Sequence, residues 1–165
     1  MILGLIFSIV LIELIIVGWV DLKTEKISNY WVLFNFALSV IFHVLFNEHY
    51  PLNFEILLFP SGFIGIGFIL YLMNIMGAGD SKFLASLFLI IPLEYHLMFF
   101  EKLVLSTIVT GSCLLIFRII KNGSTLKAYY ISHYWAGIKQ TLKSRFSYAP
   151  VICVAWILMG INLWK

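Results

Sequence analysis

Apolar residues gather along this chain into six long runs separated by polar connections. A helix that crosses the hydrocarbon of a bilayer needs about 20 mostly apolar residues, with a range of about 17–25. Six runs approach that length: Ile2–Val20, Tyr30–Phe46, Ile56–Met76, Phe83–Phe100, Leu103–Ile120 and Tyr148–Trp164. Pro92, Glu94 and His96 interrupt the fourth run, which as a short span would end near Ile91. The pattern predicts an all-α integral membrane protein with about six transmembrane helices.

The polar connections at 21–29, 74–82 and 121–147 lie on one side of this arrangement. The longest one, 121–147, carries apolar and aromatic residues at helical spacing, with its lysines largely off that stripe. The stripe consists of Leu126, Tyr130, Tyr134, Trp135, Ile138 and Leu142. Such a segment is typical of an interfacial amphipathic helix whose lysines are attracted to anionic lipid. We therefore expect residues 1–165 to form one membrane-embedded domain with one interfacial helix.

Composition excludes several classes of protein. Apolar residues make up 62% of the chain and charged residues 12%, against about 45–50% and about 25% in soluble domains. A soluble enzyme, a disordered tail and a nucleic-acid-binding domain are thereby excluded. Cys113 and Cys153 lie in apolar runs without a Cys-x-x-Cys motif, and the four histidines are scattered. We expect neither a metal site nor a cofactor.

The distribution of positive charge predicts the orientation in the membrane. Nine of the eleven Lys and Arg residues fall on the side of the three connections, and only Lys102 and Lys165 fall on the other. Because Lys and Arg are enriched in cytoplasmic loops, that side is predicted to be cytoplasmic. With six spans, both termini then lie on the outer side of the inner (plasma) membrane.

The two aspartates, Asp21 and Asp80, are candidates for catalysis. Asp21 follows the first predicted span and Asp80 precedes the fourth, so both are expected at the cytoplasmic boundary. Two carboxylates held close together share one proton, because both cannot easily ionise. Such a pair contains an acid and a base and can hydrolyse a peptide bond without a metal.

The residues around Asp80 form a second motif, Gly77-Ala-Gly79-Asp80-Ser-Lys82. Glycines lack a Cβ and allow another backbone to approach closely, which a protease requires beside its catalytic carboxylate. The same motif also fits a purely structural interpretation, in which the glycines end one helix and Asp80 is the N-cap of the next. Asp21 by itself is also compatible with a structural interpretation, as a charge at the membrane boundary that is hydrated in the headgroup region.

Together these segments resemble the type IV prepilin peptidases, members of the GxGD class of intramembrane aspartyl proteases. Asp21 followed by Ile27-Ser28-Asn29 is similar to that family's first aspartate motif, in which Ile-Pro-Asn follows the aspartate. The segment from Gly77 to Lys82 is similar to its Gly-x-Gly-Asp-x-Lys motif. Tyr148-Ala-Pro150 is similar to an aromatic-x-Pro element that the family often carries before the last helix.

The resemblance implies an aspartyl endopeptidase that removes the basic leader from prepilin-like precursors at the cytoplasmic membrane face. It implies Asp21 and Asp80 as the catalytic pair, with motif support from Gly77, Gly79, Lys82 and Asn29. Ser28 departs from the usual proline. Bifunctional members carry an additional region with paired Cys-x-x-Cys motifs and also N-methylate their product. The chain resembles the short members that serve Flp/Tad-type pili or preflagellins, so we expect no methyltransferase activity.

Two functions remain as alternatives. A small ion- or proton-coupled transporter would line its pathway with Glu13, Asp21 and Asp80, although both aspartates are predicted on one face and no inverted repeat is visible. An inactive paralogue could act as a pilus assembly factor, although both aspartates are intact. Glu13, in the middle of the first span, is interpreted as a buried structural acid and not as a proton relay.

Overall fold

The computed structural model describes residues 2–24, 26–46, 50, 53–73, 76–142 and 148–163. The part of the chain so described is almost entirely helical and contains no strand. Its α-helices are α1 (Ile2–Thr24), α2 (Asn29–Leu45), α3 (Leu58–Leu72), α4 (Ala78–Ile90), α5 (His96–Lys121), α6 (Gly123–Ile131), α7 (Trp135–Leu142) and α8 (Ala149–Leu163). Short 3-10 turns at Phe54–Leu57 and Leu93–Tyr95 lead into α3 and α5. The all-helical class expected from the sequence is confirmed.

Three stretches of helix are long and apolar enough to cross a membrane by themselves: Leu3–Thr24, Phe54–Leu72 and Leu93–Lys121. The helices Asn29–Leu45 and Ala149–Leu163 are apolar but shorter. The protein therefore has the character of an integral membrane protein, while six separate spans remain a prediction.

The fourth predicted span is a short helix that ends near Ile91, as the interruption by Pro92, Glu94 and His96 predicted, and it begins before Phe83. The run Phe83–Phe100 is not one helix, because α4 ends at Ile90 and α5 begins at His96. Ile91 is extended, with φ −77° and ψ 130°, as expected for a residue that precedes a proline. With 13 residues, α4 is only about 20 Å long and falls short of the roughly 30 Å hydrocarbon thickness.

Three side chains satisfy the carbonyl groups at the end of α4. Ser39 Oγ donates to the Leu89 oxygen at 3.0 Å, and Tyr50 Oη donates to the Ile90 oxygen at 2.5 Å. His96 Nε2 donates to the Ile91 oxygen at 2.9 Å, since a carbonyl can only accept. The last carbonyls of a helix lack partners within the helix, and a buried one is costly. These contacts let α4 end inside the protein.

The helix α4 lies at the centre of the bundle, with eight of its residues buried. The helices α2 and α3 pack along α4, while α8 packs against both α1 and α5. Phe88 of α4, Phe99 of α5 and Trp156 of α8 join the two groups, with ring centroids 5.2 and 5.5 Å apart in successive pairs. Many apolar side chains of the outer helices are exposed, as is usual for a lipid-facing surface.

The described part of the connection at 121–147, up to Leu142, contains two helices, α6 and α7, where the sequence pattern predicts one. The break lies at residues 132–134, and His133 has φ 54°, a left-handed conformation that ends α6. Whether these helices lie in the membrane interface remains a prediction. The parts of the predicted connections at 74–75 and 143–147 lie outside the described residues, as does the end of the last predicted span at Trp164.

Candidate active site

Asp21 lies in the last turn of α1, one helical turn before its end at Thr24. The side chain is only 2% exposed. Its Oδ2 accepts a hydrogen bond of 3.2 Å from the backbone N–H of Ala149, the first residue of α8. The N–H groups at the start of a helix have no intrahelical acceptor, and the helix dipole there favours negative charge. The start of α8 is therefore a favourable place for the Asp21 carboxylate.

Asp80 lies in the first turn of α4 and is half-buried. The sequence motif predicts Asp80 as the N-cap, but Gly77 holds that position and Asp80 stands three residues further on. Asp80 Oδ2 accepts the N–H of Gly77 at 3.2 Å, and the Asp80 N–H donates to the Gly77 oxygen at 3.2 Å. This reciprocal contact fixes the carboxylate at the start of the helix.

The two glycines of the second motif allow close contacts. A Cβ on Gly79 would lie 2.9 Å from the carbonyl oxygen of Ile27, so the segment after α1 packs directly onto the start of α4. A Cβ on Gly77 would lie 3.1 Å from Asp80 Oδ2. The first and second motifs, which are distant in sequence, thus meet at one end of the bundle.

Two of the sequence-predicted support residues lie on the surface at this end. Asn29 is exposed as the first residue of α2, and Lys82 is exposed on α4. Ser28 stands where the resembling family usually has proline, and its Oγ caps α2 by accepting the N–H of Tyr30 at 3.3 Å. The departure from proline therefore preserves a defined helix start.

Electrostatic interaction connects the two aspartates. Burial, and after it the negative charge of Asp21, raises the pKa of Asp80 to about 6, against the opposing effect of the Gly77 N–H. Asp80 lies before the predicted fourth span, so this environment is the cytoplasmic end of the bundle in the predicted orientation. At neutral pH a group with this pKa can both hold and release a proton.

The described residues contain no group of three or more His, Cys, Asp or Glu side chains that could hold a metal ion. The arrangement at the junction of α1, α4 and α8 supports the chemistry of a carboxyl pair.

A sequence model of the type IV leader peptidase family matches residues 8–117, two thirds of the chain. This protein belongs to the type IV leader peptidase family. The peptidases of this family are of the aspartic type, and the matched range contains Asp21, Asp80 and the two glycines of the second motif. Neither a curated protein nor a solved structure shows a significant match to the chain.

In the sequence, Tyr148 stands out only as part of the Tyr148-Ala-Pro150 motif, without a role of its own. In the structure, Tyr148 lies directly before α8, next to the residue that contacts Asp21. The Tyr148 Oη and Thr107 Oγ1 atoms are 2.9 Å apart. The Tyr148-Ala-Pro motif was the available signal, because its second residue provides the N–H that Asp21 accepts.

Glu13 lies about two helical turns before Asp21 on α1. It is 3% exposed, and neither carboxyl oxygen has a hydrogen bond among the described residues. Asn35 of α2 lies near the Glu13 carboxyl group, but the two side chains do not form a hydrogen bond of normal geometry. The Asn35 Nδ2 atom instead donates to Ser86 Oγ at 3.2 Å. Eight residues of helix separate Glu13 from Asp21 by about 12 Å along the axis. This polar cluster is distinct from the aspartate pair.

Proposed function

We propose that this protein is a prepilin leader peptidase in which Asp21 and Asp80 form the catalytic pair. Its substrates are type IV pilin-like precursors, and it cuts off their basic leaders at the cytoplasmic face of the plasma membrane. One observation carries the proposal beyond family membership: the segment that follows Asp21 packs onto the start of α4 at Gly79, which brings together two motifs whose aspartates are 59 residues apart.

A pair that holds one proton can complete the hydrolysis. The ionised carboxylate takes a proton from water, whose oxygen bonds to the scissile carbonyl carbon, while the protonated carboxyl gives its proton to the carbonyl oxygen. When the C–N bond breaks, the first carboxyl gives its new proton to the leaving amine. The second carboxylate recovers a proton from the diol, and the pair returns to its starting state.

The substrate enters as an apolar helix from the bilayer, with its basic leader kept on the cytoplasmic side. The scissile bond then lies at the depth of the aspartates. Gly77 is exposed beside Asp80, and an extended backbone can approach there because no side chain intervenes. We expect a glycine on the leader side of the cut, so Gly→Val at that precursor position should slow processing strongly.

Cleavage of a purified precursor in detergent tests the proposal. Asp21→Asn and Asp80→Asn should each abolish cleavage, because an amide can neither act as base nor share the proton. Asparagine has the size of aspartate, and its amide oxygen can accept the same N–H groups of Ala149 and Gly77, so both variants should reach normal levels in the membrane. Near wild-type turnover in either correctly inserted variant would contradict the assignment of the pair.

Intact mass spectrometry of the product tests a second part of the proposal. With purified protein, precursor and S-adenosylmethionine present, we expect the mass of the cleaved polypeptide alone. A product heavier by one methyl group would show that this chain also has methyltransferase activity.

A further inference from the structure

The helix α3 packs along α4 through a stripe of three residues that becomes narrower towards the aspartate end. Phe59 and Phe63 stack on Phe88 of α4, with ring centroids 5.1 and 4.9 Å apart. Gly67 comes four residues after Phe63 and therefore continues the same face of α3. It is buried against Ser81, about two turns before Phe88 on α4. The space between the two helices thus holds phenyl rings at one end and no side chain of α3 at the other.

No side chain larger than a hydrogen atom fits at Gly67. A Cβ atom on Gly67 would overlap both the Oγ and the Cβ atoms of Ser81, and it would lie 3.4 Å from the Ser81 Cα atom. Rotation of the serine side chain moves only its Oγ atom, because the backbone fixes the position of Cβ. The backbone of α3 therefore lies directly against Ser81, and an added Cβ atom must displace one of the two helices.

Ser81 belongs to the same helix start as Asp80 and is buried there. Its Oγ donates to the Gly77 carbonyl oxygen at 3.5 Å, a long contact for a hydroxyl donor. The same oxygen accepts the Asp80 N–H at 3.2 Å, and Asp80 Oδ2 accepts the Gly77 N–H at 3.2 Å. A movement of Ser81 is thus passed on to the turn that fixes the Asp80 carboxylate.

Other elements hold this turn from two opposite sides. Gly79 and Ser81 are two residues apart, which places them about 200° apart around the axis of α4. Ile27 lies against Gly79, where a Cβ atom would be 2.9 Å from the Ile27 carbonyl oxygen, and Gly67 lies against Ser81. Asp80 stands between these two contacts in sequence. The start of α4 is thereby enclosed between the segment after α1 and the backbone of α3.

We propose that Gly67 positions Asp80 for catalysis: the close contact of α3 with Ser81 holds the start of α4 against the segment after α1 and so fixes the distance between Asp80 and Asp21. This inference rests on the proposed function. Gly67 lies outside both motifs and acts through Ser81, so it is a positioning residue. A displacement of a catalytic group by about 1 Å can slow an enzymatic reaction by about 100-fold.

The kinetic constants of purified variants in one detergent test the inference. In Gly67→Ala, the added Cβ atom separates α3 from Ser81 and shifts the start of α4. We expect kcat to fall by about 10- to 100-fold, with KM little changed, because the buried Gly67 does not contact the precursor. Gly65→Ala on the same helix is the matched control, since a Cβ atom there meets nothing within 4 Å. This control variant should keep the kcat of the wild type.

Ser81→Gly is the reciprocal change, because it removes both atoms that a Cβ atom on Gly67 would overlap. In the Ser81→Gly background, Gly67→Ala should leave kcat close to that of Ser81→Gly alone. A general structural role would lower the unfolding temperature of Gly67→Ala without changing kcat per folded molecule. An unchanged kcat in folded Gly67→Ala, or an equal loss of kcat in both backgrounds, would overturn the inference.

The double variant also decides the matter if Gly67→Ala alone does not fold. The protein that carries both Gly67→Ala and Ser81→Gly should then fold and cleave the precursor as Ser81→Gly does. If the double variant fails to fold, or folds without this activity, the inference is wrong.

Failure of the proposed function gives a different result in the same assay. If Asp21→Asn and Asp80→Asn are inactive while folded Gly67→Ala keeps its kcat, only the role of Gly67 is wrong. If the wild type cleaves no precursor, or either aspartate variant keeps its activity, the proposed function fails and the inference fails with it.

Discussion

At the scale of single residues, Gly79 shows how closely the two motifs are packed. A Cβ at this position would lie 2.9 Å from the Ile27 carbonyl oxygen, a backbone atom that cannot move without the segment after α1. Gly79→Ala should therefore displace the start of α4 relative to α1, at a cost of about 1–3 kcal/mol. We expect a lower unfolding temperature. If the displacement also reaches the aspartates, the activation free energy of cleavage should rise by a similar amount, and cleavage should slow on the order of tenfold.

Gly62→Ala on α3 is the matched control, because a Cβ there meets nothing within 4 Å. Alanine also favours a helix over glycine. This variant should keep its activity and its unfolding temperature or gain slightly. Equal activity of the Gly79 and Gly62 variants would show that the contact with Ile27 does not position the site.

Glu13 provides a second prediction at this scale. A glutamine fits the same space and can hydrogen-bond with Asn35, so Glu13→Gln should retain cleavage within a few-fold of wild type. The buried amide oxygen of Asn35 has no hydrogen bond among the described residues. Glu13→Leu removes its polar neighbour on α1. We expect a stability loss of about 1–2 kcal/mol, measured by unfolding in detergent. A loss of activity by well-folded Glu13→Gln as deep as that of Asp21→Asn would instead make Glu13 part of the catalytic machinery.

At the scale of helices, the end of α4 depends on side chains from other elements. Ser39→Ala removes the donor to the Leu89 carbonyl and should destabilise the protein by about 1–2 kcal/mol. Ser8→Ala is its control, because the Ser8 hydroxyl is exposed and bonds the Gly4 carbonyl of its own helix. Thermal unfolding in one detergent compares them. Equal unfolding temperatures would mean that α4 does not need this bond.

The same helix shows what the sequence could and could not predict. Apolar runs located most of the helices, because a helix that crosses the hydrocarbon must be apolar over about 20 residues. Pro92 indicated the end of α4, but the side chains that satisfy its last carbonyl groups, Ser39, Tyr50 and His96, come from elsewhere in the chain and could not be predicted. The division of α6 from α7 depends on a single left-handed residue, His133, which has no strong sequence signal.

The candidate site was predictable to a similar degree. The aspartates and glycines stand in recognisable motifs, and their convergence followed from the alternation of helix directions. The N–H of Ala149 and the Tyr148–Thr107 pair could not be derived, since they depend on how α8 packs against α1 and α5. A backbone N–H is present in every residue except proline, so the residue type does not show which one will bind a side chain.

At the scale of the whole molecule, the contacts between elements show which connections lie at the same end of the bundle. Asp21 meets Ala149, and Ile27 meets Gly79, at one end. At the other end, Tyr50 bonds the Ile90 carbonyl. Most Lys and Arg residues belong to the connections predicted at the aspartate end, so the positive-inside rule predicts that this end faces the cytoplasm.

Cysteine labelling in intact cells tests this orientation. In a background without Cys113 and Cys153, single cysteines replace exposed residues at the aspartate end, Lys26 and Ser124, and at the other end, Glu55 and Glu94. An impermeant thiol reagent should label only the Glu55 and Glu94 positions until the cells are permeabilised, after which all four should react. Labelling of Lys26→Cys and Ser124→Cys in intact cells, with Glu55→Cys and Glu94→Cys protected, would turn the aspartates to the outer face. A leader retained by its positive charge in the cytoplasm could not reach them there.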